Sequence, residues 1–487
     1  MNILYFGDNL EILRDKIPPN CVDLIYLDPP FKSGKSYNII FQPELNRIKG
    51  ATAQIKTFED TWQWGDEAEK EYQGLITGTI TTEKPNQKLI ELIKAMRSYL
   101  GECSMMAYLC MMAPRLLEMR RVMKETGTIY LHCDPTASHY LKLLMDAVFG
   151  VKNFRNEIVW CYAGGGIPKN DFPRKHDIIF RYSKSDVYFY KPIYRPYTLG
   201  TLQRGRTKVK GKYAEQGLRP EGTPVNDWWP DVSKITSPTD PEKLGYPTQK
   251  SEALLERIIN CSSREGDFVL DPFCGCGTTI TVAERLKRKW IGIDITYIAI
   301  DVIKKRLEKN GIKEGVDFGI AGEPTDVYSA EKLARRDPFQ FQLWCISKLD
   351  ATPSQIKSGD QGIDGIVNFV DYTKKNKAGI GIIQVKGTQN VNPGMVRDLK
   401  GTMKSQKADF GVLITLKEPT KGMKKEALKE GYFEYMRKKI SIIQLLTVEQ
   451  LFKKPIPITL PTAILPPYKT PAIKKSEQWE FSFKKDG

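Results

Sequence analysis

Histidine is the scarcest catalytic side chain in this sequence, with 3 copies in 487 residues. His132, His139 and His176 show no metal-ligand spacing, so structural roles are expected of them. Nine cysteines are scattered without a framework, and the closest pair, Cys274 and Cys276, is a C-x-C in a glycine-rich turn, not a zinc-type C-x-x-C. That usage excludes a disulfide scaffold and fits a reduced, cytoplasmic compartment. No apolar run reaches the length of a membrane span, so no membrane partner is expected. Asp8 and Glu11 stand where an export signal would be apolar, so none is expected. No internal repeat is visible. Acidic residues are also in short supply: 58 Asp and Glu against 74 Lys and Arg leave a net charge of +16. That excess points to a polyanionic partner, nucleic acid being the commonest, although a basic solvated surface would give the same count.

What is present is an alternating rhythm. The length predicts about two to three domains. "MNILYFGD" and "CVDLIYLD" each read as a short buried strand, with the helix-like "NLEILRDKI" between them. Residues 90 to 124 carry apolar positions at three- and four-residue spacing and read as helices. "GTIYLHCD" reads as a strand, and "PTASHYLKLLMDAVFG" as a helix with proline near its start and glycine at its end. "EIVWCY" and "DIIFRYS" read as further strands. After residue 250 come a helix ("SEALLERIINCSS"), a strand and turn ("FVLDPFCGCGTT"), a helix ("ITVAERLKR") and a strand ("KWIGIDI"). This order predicts a doubly wound, mostly parallel α/β sheet. Residues 186–244, rich in tyrosine, arginine and lysine, break the rhythm and read as an insertion. A charged connector, 326–337, leads to a second α/β unit at about 338–453. The tail, 454–487, is rich in proline and lysine and is expected to run extended over a surface or to be partly mobile.

Two stretches carry chemistry. In "VLDPFCGCGTT", Gly275 and Gly277 follow a strand and precede a helix, where glycine lets the backbone approach a bound molecule. Asp294 ends the next strand and is positioned to accept hydrogen bonds from ribose hydroxyls. The spacing is not G-x-G-x-x-G, so a nucleoside cofactor without a pyrophosphate fits better than a dinucleotide. A tight turn in an ordinary α/β unit would look the same. In "VDLIYLDPPF", the Asp28 carboxylate and Pro29 carbonyl become fixed acceptors at a strand end, because Pro29 and Pro30 stiffen the chain. Two acceptors aimed at one NH2 group draw its lone pair out of conjugation and stabilise charge developing on nitrogen. Phe31 offers a face on which a base can stack. A Pro-Pro loop that merely ends a strand remains the alternative.

Together these motifs resemble the DNA amino-methyltransferases, S-adenosylmethionine-dependent enzymes that methylate adenine N6 or cytosine N4. "DPPF" is similar to their catalytic motif, "DPFCGCGTT" to their cofactor loop, and "GYPTQKS" (245–251) to the segment preceding that loop. Catalytic motif first, cofactor loop last and a basic, aromatic insertion between them resemble the beta subgroup, whose insertion is the target-recognition region. "GTIYLHCDPTASHYLKLLMDAVFG" and "RKHDIIFRYSKSD" also resemble that subgroup. The resemblance covers about residues 1 to 325 and implies a Rossmann-like methyltransferase sheet. It implies that Asp28, Pro29, Pro30 and Phe31 grip the target base. Asp271, Phe273, Gly275 and Gly277 would line the S-adenosylmethionine site, Asp294 would hold its ribose, and Thr248 and Lys250 would lie near its methionine end. Tyr246 and Ser251 depart from the more usual His and Pro, and Phe31 from the more usual Tyr. Asp28 tilts the target toward adenine, since cytosine-N4 enzymes more often carry Ser there. Double-stranded DNA is the implied partner, with the base flipped out of the stack and methylated directly, without a covalent enzyme intermediate. Beta-type relatives are often dimeric, which suggests a homodimer, and a bacterial, archaeal or phage origin is expected. A protein or RNA methyltransferase is the alternative, against which the basic, aromatic insertion speaks.

The second unit holds Asp364 at the start of one strand-like run and Gln384 and Lys386 on one face of another. "SGDQGIDGIV", "IIQVKG" and "VRDLKGTMKSQKADFGVLITL" resemble the Mrr-type branch of the PD-(D/E)xK nuclease fold. The resemblance implies a restriction-endonuclease-like domain with Asp364, Gln384 and Lys386 as its active site, Asp364 as metal ligand, and Mg2+ as cofactor. Another acid often lies on the first helix of such domains; here Gln340 and Gln342 stand there. The whole would be a restriction–modification enzyme, or a methyltransferase whose second domain only binds DNA.

Overall fold

The computed structural model describes residues 1–30, 36–41, 53–59, 62–164, 168–205, 217–237, 239–246, 248–354, 362–372 and 377–465, with 36–41 and 53–59 as backbone only. Phe31 lies outside these residues.

The chain opens with β1 (Asn2–Phe6), α1 (Asn9–Lys16) and β2 (Val22–Leu27), as its apolar pattern predicts. A short antiparallel pair, β3 (Ser36–Phe41) and β4 (Ala53–Glu59), comes next. Helices α2 (Asp66–Thr77), α3 (Gln87–Leu100) and α4 (Ser104–Val122) lead to β5 (Met123–Cys133) and α5 (Pro135–Phe149). The ends of α5 follow from local chemistry: the Asp134 side chain accepts from the amides of Thr136 and Ala137, proline takes the first turn, and Gly150 ends the helix at φ 89°. Then come β6 (Phe154–Cys161), β7 (His176–Ser183), β8 (Tyr194–Arg195), α6 (Leu199–Arg204), β9 (Thr223–Pro224) and β10 (Trp228–Trp229). The unit closes with α7 (Glu252–Ser262), β11 (Phe268–Asp271), α8 (Thr278–Arg285), β12 (Lys289–Asp294), α9 (Tyr297–Lys309) and β13 (Phe318–Ala321).

Nine strands form one sheet in the order β10-β6-β7-β5-β2-β11-β12-β1-β13. All pairings are parallel except those of β7, which runs antiparallel to both β5 and β6. Helices cover both faces. Along β2, Leu24 and Tyr26 join one apolar cluster, with residues of α7, α8 and α9, while Ile25 and Leu27 join the other, with residues of α1, α4 and α5. This alternation is the strand period of two expressed on a doubly wound sheet. The insertion is not a separate appendage. Its Trp228–Trp229 segment extends the sheet edge parallel to β6, and Trp160 donates its indole N–H to the Val232 carbonyl at 2.8 Å.

The stretch expected to be a connector is instead a packed helix, α10 (Val327–Arg336). It is started by Asp326, which caps the Ser329 amide, and buries Ala330, Leu333 and Ala334. Helix α11 (Pro338–Ser347) follows directly. The second unit has a mixed five-stranded sheet of β14 (Thr352–Pro353), β15 (Gly365–Asp371), β16 (Lys377–Lys386), β17 (Phe410–Thr415) and β20 (Ile443–Thr447), in that spatial order. Helices α12 (Pro393–Gln406) and α13 (Lys421–Leu428) and the hairpin β18 (Tyr432–Tyr435) and β19 (Lys438–Ser441) complete it, with α14 (Val448–Leu451) at its end. The described part of the tail runs extended against β15, where Val370 and Leu465 donate backbone hydrogen bonds across the pair. One apolar cluster runs without a break from Leu4 and Phe318 through Leu333, Phe341 and Trp344 to Phe369 and Phe410. No described helix is long and apolar enough to cross a membrane, and all nine cysteines are free thiols.

Candidate active site

Parallel pairing brings the chemistry to one edge. Leu270 pairs with Ile25, Asp271 with Gly292, and Phe6 with Asp294. The segments after β2, β11, β12 and β1 therefore all emerge at the carboxyl edge of the sheet, where open α/β sheets bind their ligands. A cavity of about 380 Å³ opens there. Asp28, Pro29 and Pro30 line it, and so do Thr248, Lys250, Asp271, Phe273, Gly275 and Asp294. The two motifs, 240 residues apart in sequence, thus share one cavity.

Gly277, the remaining glycine of the loop, is not on the cavity wall. It caps α8 at φ 75°, and a Cβ there would come within 2.6 Å of Ile303 Cγ1. It lets α8 pack closely on α9, a demand that looks the same in sequence as close approach to a ligand. Gly275 differs: it lines the cavity at φ 49°, and its amide donates to Asp294 Oδ2 at 2.9 Å. Asp294 Oδ1 accepts from the amide of Thr296 at 2.8 Å and from its hydroxyl at 2.7 Å. Burial pushes the Asp294 carboxyl up from the ordinary carboxylate range, against these hydrogen bonds. Asp271, only 3% exposed, is pushed up to about 7 by burial, although the Thr279 side chain and the Phe273 amide hydrogen-bond to it.

The Asp28 carboxylate meets the Lys250 ammonium at 2.5 Å, both side chains being largely buried. Thr248 holds a left-handed φ of 59°, a strained conformation for a β-branched residue, in the loop that delivers Lys250. Behind Asp28 lies a buried polar chain. The Tyr26 hydroxyl and His132 Nδ1 are 2.9 Å apart, His132 Nε2 lies 3.1 Å from Asp177, and the Tyr162 hydroxyl donates to Asp177 at 3.0 Å. Burial acts to raise Asp177, but the hydrogen bond and charge of His132 win and bring it down to about 2. His132 is thus fully buried in a hydrogen-bonded network, and the described residues contain no group of three His, Cys, Asp or Glu that could hold a metal.

Sequence reasoning missed a second wall of the cavity. Arg115 of α4 donates to Asn9 at 2.7 Å, to Asp8 at 2.8 Å and to Glu71 of α2 at 2.9 Å. Asn9 in turn donates to the Pro272 carbonyl at 2.8 Å, fixing the glycine-loop end of β11. Burial raises the Glu71 carboxyl. The one local signal was "FGDN" at the end of β1, an acid and an amide where the other strands also end in polar groups.

The sequence model of the family described as DNA methylase matches residues 22–305, more than half of the chain. The chain belongs to the DNA methylase family. Among its relatives, this chain is 30% identical over 259 residues to the type II methyltransferase M.EcaI of Enterobacter cloacae, covering 41% of this chain and 57% of that one. It is 33% identical over 214 residues to M.HpaI of Haemophilus parainfluenzae, covering 44% and 63%. It is 27% identical over 333 residues to the DNA adenine methyltransferase YhdJ of Escherichia coli K12, covering 68% and 85%. The chain therefore spans about three fifths of the length of the first two. The solved PvuII DNA methyltransferase, cytosine-N4-specific, matches at 16% identity and a TM-score of 0.35, over 62% of this chain and 85% of that one.

Residues 350–451 match the family described as NACHT-associated inactive restriction endonuclease 1. The Mrr-type assignment of this unit is not what that match supports. Asp364, Gln384 and Lys386 do lie close in the fold: Asp364 donates its amide to the Ile383 carbonyl at 3.0 Å, and its Oδ2 accepts from the Val385 amide at 2.6 Å. Gln384 is buried, with its amide nitrogen on the Thr402 hydroxyl at 3.3 Å, and Lys386 is half-buried. A Mg2+ ion asks for several oxygen ligands at close to octahedral geometry. Here one carboxylate stands among the three residues, and one of its oxygens is committed to the backbone. The buried Gln384 Oε1 has no hydrogen-bond partner, but among the described residues no group of three His, Cys, Asp or Glu gathers here to hold the expected Mg2+. Gln340, on the first helix of this unit, is bonded to the first unit: its Oε1 accepts from the Tyr297 amide at the start of α9 at 2.7 Å.

Proposed function

We propose that this chain is an S-adenosylmethionine-dependent DNA methyltransferase that alkylates the exocyclic amine of a base flipped out of duplex DNA, adenine N6 ahead of cytosine N4. One observation carries this reading: Asp28, Pro29 and Pro30 share a cavity with Gly275 and Asp294. The cavity residues fit S-adenosylmethionine by their chemistry. Asp294 offers acceptor oxygens to ribose hydroxyls, Phe273 an aromatic surface, and Asp28 negative charge toward a sulfonium. The cofactor supplies the electrophilic methyl group.

Asp28 and the Pro29 carbonyl would accept the two N–H bonds of the target amine and hold its lone pair toward that methyl. Electrostatic pre-positioning of this kind is the main catalytic lever for direct transfer. The Lys250–Asp28 ion pair must open before an amine can use that carboxylate oxygen. Support for DNA as substrate comes from family membership and the net charge of +16. Asp28 and the adenine-methylating relative favour adenine. The test is tritium transfer from labelled S-adenosylmethionine to duplex DNA, followed by sequencing of modified bases. Label on protein or RNA but not on duplex DNA would overturn it, and N4-methylcytosine would correct the target.

For the second unit we favour DNA binding without cleavage. The supporting observations are the match to a family described as inactive, the single acid among Asp364, Gln384 and Lys386, and the exposed lysines of α12 and α13, among them Lys404, Lys421, Lys424 and Lys425.

A further inference from the structure

The helix that follows the cofactor acid is started from outside the methylase fold. Thr296 occupies the N-cap of α9, yet its side chain makes no cap hydrogen bond. Its hydroxyl is turned back to Asp294 Oδ1 at 2.7 Å. The first amide of α9, on Tyr297, is buried and would be left without an acceptor. Gln340 of α11 supplies one, its Oε1 lying 2.7 Å from Tyr297 N. Gln340 is 7% exposed and Tyr297 2%, so water cannot stand in. Hydrogen bonds therefore run from Gly275 to Asp294 and from Asp294 to Thr296, and the next residue along the backbone, Tyr297, is the one that Gln340 holds.

Three further contacts clamp the same junction. The Tyr297 hydroxyl donates to Glu323 at 2.8 Å, Lys348 reaches Glu323 at 3.3 Å, and Lys305 of α9 pairs with Asp350 at 2.9 Å. Phe6, at the end of β1, packs edge-on against the Tyr297 ring at 5.4 Å. Gln340 belongs to neither family match, since one ends at residue 305 and the other begins at 350.

We propose that Gln340 is a positioning residue for the cofactor pocket, so that the docked C-terminal unit is a working part of the methyl-transfer site. The proposal rests on the methyltransferase reading above. Without the Gln340 oxygen, the Asp294–Tyr297 turn loses its outer anchor. The Thr296 amide and hydroxyl, which together hold Asp294 Oδ1, then lose the fixed backbone position from which they orient that carboxylate toward the cofactor.

The test is calorimetric titration of S-adenosylmethionine into the full chain carrying Gln340→Leu. Cofactor affinity should fall about tenfold, the order expected for one buried donor left unpaired. Affinity for duplex DNA should stay level, and KM for the cofactor should rise more than kcat falls. Gln340→Glu, which keeps an acceptor oxygen, should restore the affinity. Thr296→Val should weaken cofactor binding too, and the double variant with Gln340→Leu should lose less than the sum of the two. If the Leu variant does not fold, Gln340→Ala takes its place. Unchanged cofactor affinity in a folded Gln340 variant, or strictly additive losses, would overturn the proposal. A wild-type chain that binds no S-adenosylmethionine would instead overturn the methyltransferase reading on which it rests.

Discussion

Asp271 offers a test of the pocket that needs no substrate. Its carboxyl is pushed from an ordinary 3.8 up to about 7, first by burial and further by the neighbouring Asp28 and Asp294, while Thr279 and the Phe273 amide act in the opposite direction. Each pH unit between the two values corresponds to about 1.4 kcal/mol, so the ionised form costs the folded protein about 4 kcal/mol. Below about pH 4 both folded and unfolded chains hold the proton, and the group contributes nothing. Between about pH 4 and pH 7 the unfolded chain gives up a proton that the folded one keeps, so stability falls as pH rises. Asp271→Asn is neutral throughout. Its stability relative to wild type, measured by urea unfolding, should therefore rise by about 4 kcal/mol from pH 4 to pH 8. Saturating S-adenosylmethionine, whose sulfonium is cationic, should shrink that rise. A difference that stays flat across the range, or that moves in favour of wild type at high pH, would refute the reasoning.

Three other outcomes are expected. Asp28→Ala should lower methyl transfer by at least about a hundredfold, while filter-binding affinity for duplex DNA changes little, because phosphate contacts dominate affinity. Gly277→Ala should lower the melting temperature through about 2–4 kcal/mol of lost stability, since it forces a side chain into a left-handed φ and onto Ile303; an unchanged melting curve would refute the packing role. Duplex DNA incubated with the protein and Mg2+, with or without S-adenosylmethionine, should stay intact on a gel, and Lys386→Ala should leave methylation unaltered; any Lys386-dependent cutting would restore the nuclease reading.

Much of this arrangement was legible wherever the information is local. Asp134, Pro135 and Gly150 mark the ends of α5 by their own backbone chemistry. "YLDPPF" and "VLDPFCGCG" announce strand ends because proline and glycine constrain the backbone where they stand. Contacts between distant segments left no such mark. The bond from Arg115 to Asn9 joins residues 106 apart, and nothing in "MMAPRLLEM" distinguishes its arginine from a solvated one. Gly277 also packs against Ile303, which its sequence could not announce, because a ligand and a neighbouring helix make the same demand on a backbone. The sequence 326–337 looked like a connector because its charges are plentiful, yet Ala330, Leu333 and Ala334 fall on one side of a helix and are buried. Gln340 drew notice as a substitute for a catalytic acid, and its actual partner lies in the other unit.

The apolar cluster running from Leu4 to Phe410 sets a limit on how this chain can be divided or inherited. Severing it near residue 326 would strand Leu333, Phe341 and Trp344 in water on one fragment and bare α9 on the other. Recombination that exchanged the C-terminal half for a foreign one would also have to regenerate that seam, residue against residue. The two halves are thus expected to descend together, as a single heritable piece.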